Sequence, residues 1–261
     1  MRKFNRRSII YSCHNMNIKY LIIPDIHGRT FWRKPIEKFN EKVEHIIFLG
    51  DYFDPYPNEK ITESDAIDNW HEIMNFIADH ELWDKTTMLI GNHDAHYMSS
   101  IFAKLGGSSR KSKEHVDEIK SLLTGCHLLQ IAYEGRVGDK EILFTHAGVT
   151  ESWYLRHKDL IGKLCAKNLN HLTDTEVGWR ALAEIGLSRM GNYKTGSPLW
   201  ADAGEHVIFS WSTESQGEFD FQVFGHTQFD HPVIEKSFAM LDCQRCFAMT
   251  DEAKLLAIKN F

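Results

Sequence analysis

Five short apolar runs in this chain each break off into residues that bind metals or move protons. Ile18 to Ile23 leads through Pro24 into Asp25-Ile26-His27-Gly28. Val43 to Leu49 runs into Gly50-Asp51-Tyr52-Phe53-Asp54. Thr87 to Ile90 meets Gly91-Asn92-His93-Asp94. Ile142 to Thr145 stops at His146, and Phe221 to Phe224 stops at Gly225-His226-Thr227. Runs of this length and composition read as buried strands. Polar residues at the C-terminal ends of several strands line up along the edge where open α/β sheets hold ligands. Gly50, Gly91 and Gly225 allow the sharp turns that swing the next side chain over that edge. A lone D-x-H or a single strand-end histidine is weak evidence; the order and strand context of all five are specific.

The intervening segments complete an α/β pattern. A helix is expected over Arg29 to Asn40, with Pro35 either near its start or at a kink. Ser64 is expected to cap a second helix that runs to about His80, with Ile67, Trp70, Ile73, Met74 and Ile77 on one face. Gly50 to Thr62 holds two prolines and reads as a loop. Alternating strand and helix implies parallel pairing. Ser99 to Lys120 is polar and basic, with Gly106-Gly107-Ser108-Ser109 at its flexible point; within it, Arg110 to Lys113 reads as a solvated loop, with a patch that attracts a phosphate-bearing substrate as the alternative. Leu128 to Tyr133 and Glu141 to Thr145 form a hairpin. Glu151 to Met190 is helical in pattern, and a further set of strands follows at Val207 to Trp211, Phe221 to Phe224, Val233 to Ile234, Phe238 to Leu241 and Lys254 to Ile258. Residues 17–261 therefore read as one domain with a helical insertion at about 151–195. Residues 1–16 read as a flexible leader.

Composition narrows the function classes. Acidic residues outnumber basic ones 36 to 30, for a net charge of −6, which argues against a surface that coats nucleic acid. No apolar run reaches bilayer-spanning length. Arg6-Arg7 is followed by too few apolar residues for a secretion signal. Five scattered cysteines, with Cys243 and Cys246 as a lone C-x-x-C, suit a reducing cytoplasm and ordinary packing. The 15 histidines direct attention to metal ligands. Carboxylate and imidazole are good donors for Mn, Fe and Zn. A pair of cations needs one bridging carboxylate, for which Asp51 is the natural candidate, and a neutral Asn92 oxygen limits the negative charge.

Together, D-x-H, G-D-x-x-D, G-N-H-D, H and G-H resemble the calcineurin-like metallophosphoesterase superfamily. Thr145-His146-Ala147-Gly148 and the first two motifs are similar to its phosphoprotein phosphatase branch and bacterial relatives, including symmetrical dinucleoside polyphosphate hydrolases. The resemblance covers Ile18 to Phe261 and implies a four-layer αββα sandwich, here with the helical insertion as a cap. It also implies a dinuclear centre, with Asp25, His27 and Asp51 on one ion and Asp51, Asn92, His146 and His226 on the other. His93 would be the catalytic imidazole and Asp54 its orienting carboxylate. The chain departs from the pattern twice. Gln228 stands where many members have the second histidine of G-H-x-H, and Pro55 stands where the phosphatase branch has a phosphate-gripping arginine. Arg189, before Gly191, is the expected substitute, with Arg29 and Arg180 as alternatives. Trp200, in a Leu-Trp-Ala-Asp stretch, is expected to anchor the cap. The activity implied is hydrolysis of a phosphomonoester on a protein or small metabolite. Alternatives are a dinucleoside polyphosphate or phosphodiester substrate and, in a different class, an inactive metal-binding scaffold.

Overall fold

Alternation along the strands sorts side chains onto two faces. In β1 (Ile18–Ile23), Leu21 and Ile23 point to one apolar cluster, whereas Tyr20 and Ile22 point to another. β2 (Val43–Phe48) repeats this split, with Ile46 and Phe48 on one side and Ile47 on the other. A strand that buries both faces must lie inside a layered structure. The computed structural model describes residues 17–106, 110–208, 211 and 219–258, and it shows two sheets flanked by helices. The proposed leader lies outside the described residues.

The first helix, α1 (Arg33–Phe39), begins later than expected, and Pro35 occupies its first turn, where no N–H is required. α2 (Glu63–Asp79) starts one residue before Ser64, so Ser64 is not its cap. Thr62 caps it instead, accepting the Asp65 N–H at 3.0 Å while the Asp65 carboxylate accepts the Thr62 N–H at 2.8 Å. α1 and α2 pack on the outer face of β1 and β2 through Ile36, Phe39, Trp70, Ile73 and Ile77. The third strand, β3 (Thr86–Leu89), feeds α3 (Asn92–Met98), and α4 (Ser100–Leu105) and α5 (Val116–Thr124) follow.

The expected strand Leu128 to Tyr133 is in fact two. β4 (Leu129–Gln130) pairs in parallel with β3, but β5 (Ala132–Val137) belongs to the other sheet. Asn170 holds the crossing point: its Oδ1 accepts the N–H groups of Ile131 and Ala132 at 2.9 and 2.8 Å. β5 then forms the hairpin with β6 (Lys140–Thr145). Short helices follow over the expected helical stretch, at α6 (Glu151–Arg156), α7 (Lys158–Ile161), α8 (Ala166–Asn170) and α9 (Glu176–Leu182). Val207 belongs to α10 (Ala203–Ile208) rather than to a strand; residues 209–210 lie outside the described residues. The remaining strands are β7 (Phe221–Phe224), β8 (Val233–Ile234), β9 (Phe238–Met240), β10 (Phe247–Thr250) and β11 (Leu255–Ala257). β10 was not expected from sequence.

The six-stranded sheet has the order β11-β10-β1-β2-β3-β4, and the five-stranded sheet β5-β6-β7-β9-β8. Tyr20, Ile22, Ile47, Ile142, Phe144 and Val223 meet between them. Fully burying side chains of this size contributes about 1.5–3 kcal/mol each. This apolar layer fixes the distance between the two sheet edges, and the polar strand ends emerge along those edges.

Candidate metal centre

Buried residues of the candidate site sit on backbone that L-amino acids seldom adopt. His27, Asp51, Asp54 and His226 have φ of 45°, 53°, 56° and 68°. Such left-handed positions cost free energy and persist where surrounding contacts hold them. Here the contacts are numerous. The His27 N–H donates to the Asp51 carbonyl at 2.6 Å, and the Gly225 N–H to the His146 carbonyl at 2.7 Å. Gly50, at φ 108°, turns the chain after β2; a Cβ there would come within 2.6 Å of the Gly91 nitrogen. The turns after β2 and β3 therefore lie too close for any side chain between them.

Hydrogen bonds to carbonyls set the tautomers of two histidines. His27 Nδ1 lies 2.7 Å from the Phe53 carbonyl, and His146 Nδ1 lies 2.8 Å from the Leu49 carbonyl. A carbonyl only accepts, so each Nδ1 carries the hydrogen and each Nε2 presents a lone pair. Those lone pairs point at one oxygen: His27 Nε2 and His146 Nε2 are 3.4 and 3.5 Å from Asp51 Oδ2. His146 Nε2 also lies 3.1 Å from Asn92 Oδ1 and 3.2 Å from His226 Nδ1. Acceptors converging this closely in a buried site repel one another. A divalent cation converts that repulsion into coordination, so the donor set fits a metal.

Two overlapping groups result. His27, Asp51 and His93 form one, and Asp51, His146 and His226 the other; within each, one potential ligand atom per residue lies within 4.8 Å of the rest. Asp51 belongs to both. Burial opposes its charge, but His146, His93, His27 and His226 hold its carboxyl below the usual range. Burial pushes the imidazoles of His27, His146 and His226 down, toward the neutral form that binds metal. Asp25 falls outside both groups. Its two oxygens accept the His226 N–H at 3.1 and 3.0 Å. Burial, then Asp242 and Asp51, push its carboxyl well above the usual range. Three carboxylates this close are costly to charge together unless cations share the site.

His93 has partners on both ring nitrogens. Nδ1 lies 2.7 Å from Asp54 Oδ2, and Nε2 lies 2.9 Å from Arg110 Nη2. The other Asp54 oxygen accepts the Tyr97 hydroxyl, which itself accepts the Ser112 N–H at 2.7 Å. The reading of Arg110 as part of a solvated loop is therefore overturned, because this half-buried side chain turns inward. Its basic neighbours carry no periodic pattern, so no sequence signal distinguished it. Asp94 was also missed as a functional support: its carboxylate accepts the N–H groups of Asp51, Gly91 and Tyr52 at 2.7, 2.9 and 3.0 Å. Its position after Asn92-His93, as N3 of α3, was the available signal.

The expected arginines differ in placement. Arg189 sends Nε to Asp202 Oδ2 at 3.1 Å and Nη2 to Thr227 Oγ1 at 3.0 Å, beside His226. Arg29 is buried and spends Nε and Nη2 on the two carboxylate oxygens of Glu59, at 2.7 and 2.9 Å. Arg180 is exposed on α9, and among the described residues no hydrogen bond or ion pair links it to the site. Trp200 stacks on Phe102 of α4 at 6.4 Å between centroids and meets His226 edge-on at 5.7 Å, so it links α4 to the candidate site.

A family model described as calcineurin-like phosphoesterase matches residues 18–229. The chain belongs to the calcineurin-like phosphoesterase family. No curated protein matches it. Among solved structures, it is similar to an archaeal phosphodiesterase, at 12% identity and a TM-score of 0.38, over 92% of this chain and 99% of that one. It is also similar to a hypothetical protein of Pyrococcus horikoshii OT3, at 11% identity and a TM-score of 0.42, over 93% and 88%. This calcineurin-like phosphoesterase is thus a hydrolase of phosphate esters, with two buried His/Asp groups able to hold metal. No helix among the described residues is long and apolar enough to cross a membrane.

Proposed function

We propose that this phosphoesterase uses a dinuclear centre to hydrolyse phosphomonoesters, on a protein or a small metabolite. The observation that carries the reading is the sharing of Asp51 by two ligand groups, with the His93–Asp54 pair at their edge. In this reading Asp25, His27 and Asp51 hold one ion, and Asp51, Asn92, His146 and His226 hold the other. Manganese is the first choice, with iron and zinc as alternatives. Two such cations, when bound, polarise phosphoryl oxygens and supply a nucleophile derived from water.

The chain's own residues do the rest. Asp54 orients the His93 ring through Nδ1, leaving Nε2 as the nitrogen that exchanges a proton with the departing oxygen. Arg189 stands on the His226 flank, where its charge adds to burial in keeping that imidazole neutral. A monoester brings about two negative charges at neutral pH and a diester brings one. The arginines beside the buried carboxylates therefore favour the monoester. Residues 17–261 form one domain in this reading, with the helices of 151–195 as a cap. The free Cys126, Cys165, Cys243 and Cys246 accord with a reducing cytoplasm.

A substrate panel on the manganese-reconstituted protein tests the proposal. p-Nitrophenyl phosphate should be hydrolysed with higher kcat/KM than bis-p-nitrophenyl phosphate or a dinucleoside polyphosphate, and chelation should abolish turnover. Asp51→Asn should lose metal from both groups. A preference for the diester or the polyphosphate would replace the substrate assignment, and full activity of metal-stripped protein would remove the dinuclear reading. Metal binding without turnover of any of the three would indicate a scaffold.

A further inference from the structure

Arg110 reaches the metal centre from a distant part of the chain. Its Nη1 donates to the Asp54 carbonyl at 2.8 Å, the peptide oxygen that immediately precedes Pro55. Its guanidinium lies 3.7 Å from the centroid of the Tyr56 ring. Nη2 stands 2.9 Å from His93 Nε2. The stack and the carbonyl bond fix the plane and rotation of the fork, which leaves the Nη2 edge facing the site.

We propose that Arg110 is a substrate-binding residue that grips the phosphoryl group on the His93 flank, an inference that rests on the phosphoesterase reading above. To exchange a proton with the departing oxygen, His93 Nε2 must come within hydrogen-bond distance of it. A nitrogen 2.9 Å from Nε2 is then within reach of the terminal oxygens on the same phosphorus. When His93 Nδ1–H donates to Asp54, Nε2 is an acceptor, and the Arg110 N–H satisfies it before substrate arrives. Substrate binding exchanges that contact for one to a phosphoryl oxygen with no new orientation of the guanidinium, which leaves Nε2 to take up a proton from solvent and pass it to the departing oxygen. Arg29 is held by both oxygens of Glu59 and is not available for this purpose. Arg189 approaches from the His226 side, so the two forks address different oxygens.

The test compares wild type, Arg110→Ala and Arg110→Lys after manganese reconstitution. Metal content by elemental analysis should match in all three. In Arg110→Ala, the calorimetric affinity for inorganic phosphate should fall about 10- to 100-fold, the range for losing a charge-assisted hydrogen bond, and KM should rise in parallel. Arg110→Lys should recover part of both, because it restores the charge without the fork. Unchanged phosphate affinity in Arg110→Ala, or full recovery by lysine, would overturn the proposal. Should the alanine variant misfold, the partial loss in Arg110→Lys decides alone, with wild-type affinity there counting against the proposal. Phosphate binding is measured without turnover, so absence of esterase activity would remove the monoester reading and leave the Arg110 outcome legible.

Discussion

The buried carboxylate of Asp94 accepts the backbone N–H of Asp51 at 2.7 Å. The same oxygen accepts the Gly91 N–H at 2.9 Å, so one side chain ties the turn after β2 to the turn after β3. The strained φ of 53° at Asp51 is held by this link, and with it the direction of the carboxylate shared by both ligand groups.

Asp94→Asn turns an acceptor into a donor against one of those N–H groups. The expected loss is about 1–3 kcal/mol of stability, the cost of a buried unsatisfied group. Metal affinity should fall with it, although Asp94 touches no proposed ion. Urea unfolding and metal titration measure the two effects, and wild-type values in both would show that the link is dispensable.

Gly225→Ala would place a Cβ 2.0 Å from Asp25 Oδ1. Asp25 must then move off the His226 N–H. We expect a folded protein that retains less metal, measurable by elemental analysis after dialysis. Full metal content would mean that Asp25 is not needed to hold an ion.

His93→Ala should keep both ions and slow alkyl phosphates about 100- to 10,000-fold, with a smaller effect on p-nitrophenyl phosphate, whose departing oxygen needs no proton. Asp54→Asn should show a milder form of the same pattern. His93 lies within the His27–Asp51 group, so loss of metal in His93→Ala would instead identify it as a ligand.

Acid should destabilise the protein through a histidine outside the site. His206 Nε2 donates to the Ala147 carbonyl at 2.8 Å, with its ring 4.4 Å from that of Phe224. Burial lowers its pKa to about 4. The folded state then binds fewer protons than the unfolded chain between pH 6.5 and 4. Its contribution is fully present above pH 6.5 and fades as pH falls through that window, by roughly 3 kcal/mol in all. Urea unfolding of metal-free protein at pH 7 and pH 4.5 should reveal the decline, and His206→Gln should reduce it. An equal decline in His206→Gln would assign the effect to other groups.

Sequence alone was enough for the strand ends. β1, β2, β3, β6 and β7 are buried apolar runs, and each meets its polar residues at a turn, so Asp25, His27, Asp51, Asn92, His93, His146 and His226 could be read in order. Contacts between distant segments could not be read this way, because they depend on which strand ends the two sheets bring together. Leu128 to Tyr133 looked continuous, yet its residues serve two sheets, and Asn170, 40 residues beyond Gln130 in the chain, holds the break. Asp94 was visible within its motif, but its grip on Asp51 requires the β2 and β3 turns to be adjacent. Arg110 sits in a basic stretch without periodicity. Only packing turned it onto Tyr56 and His93, since a flexible side chain takes its direction from the surface it meets and not from its neighbours in sequence.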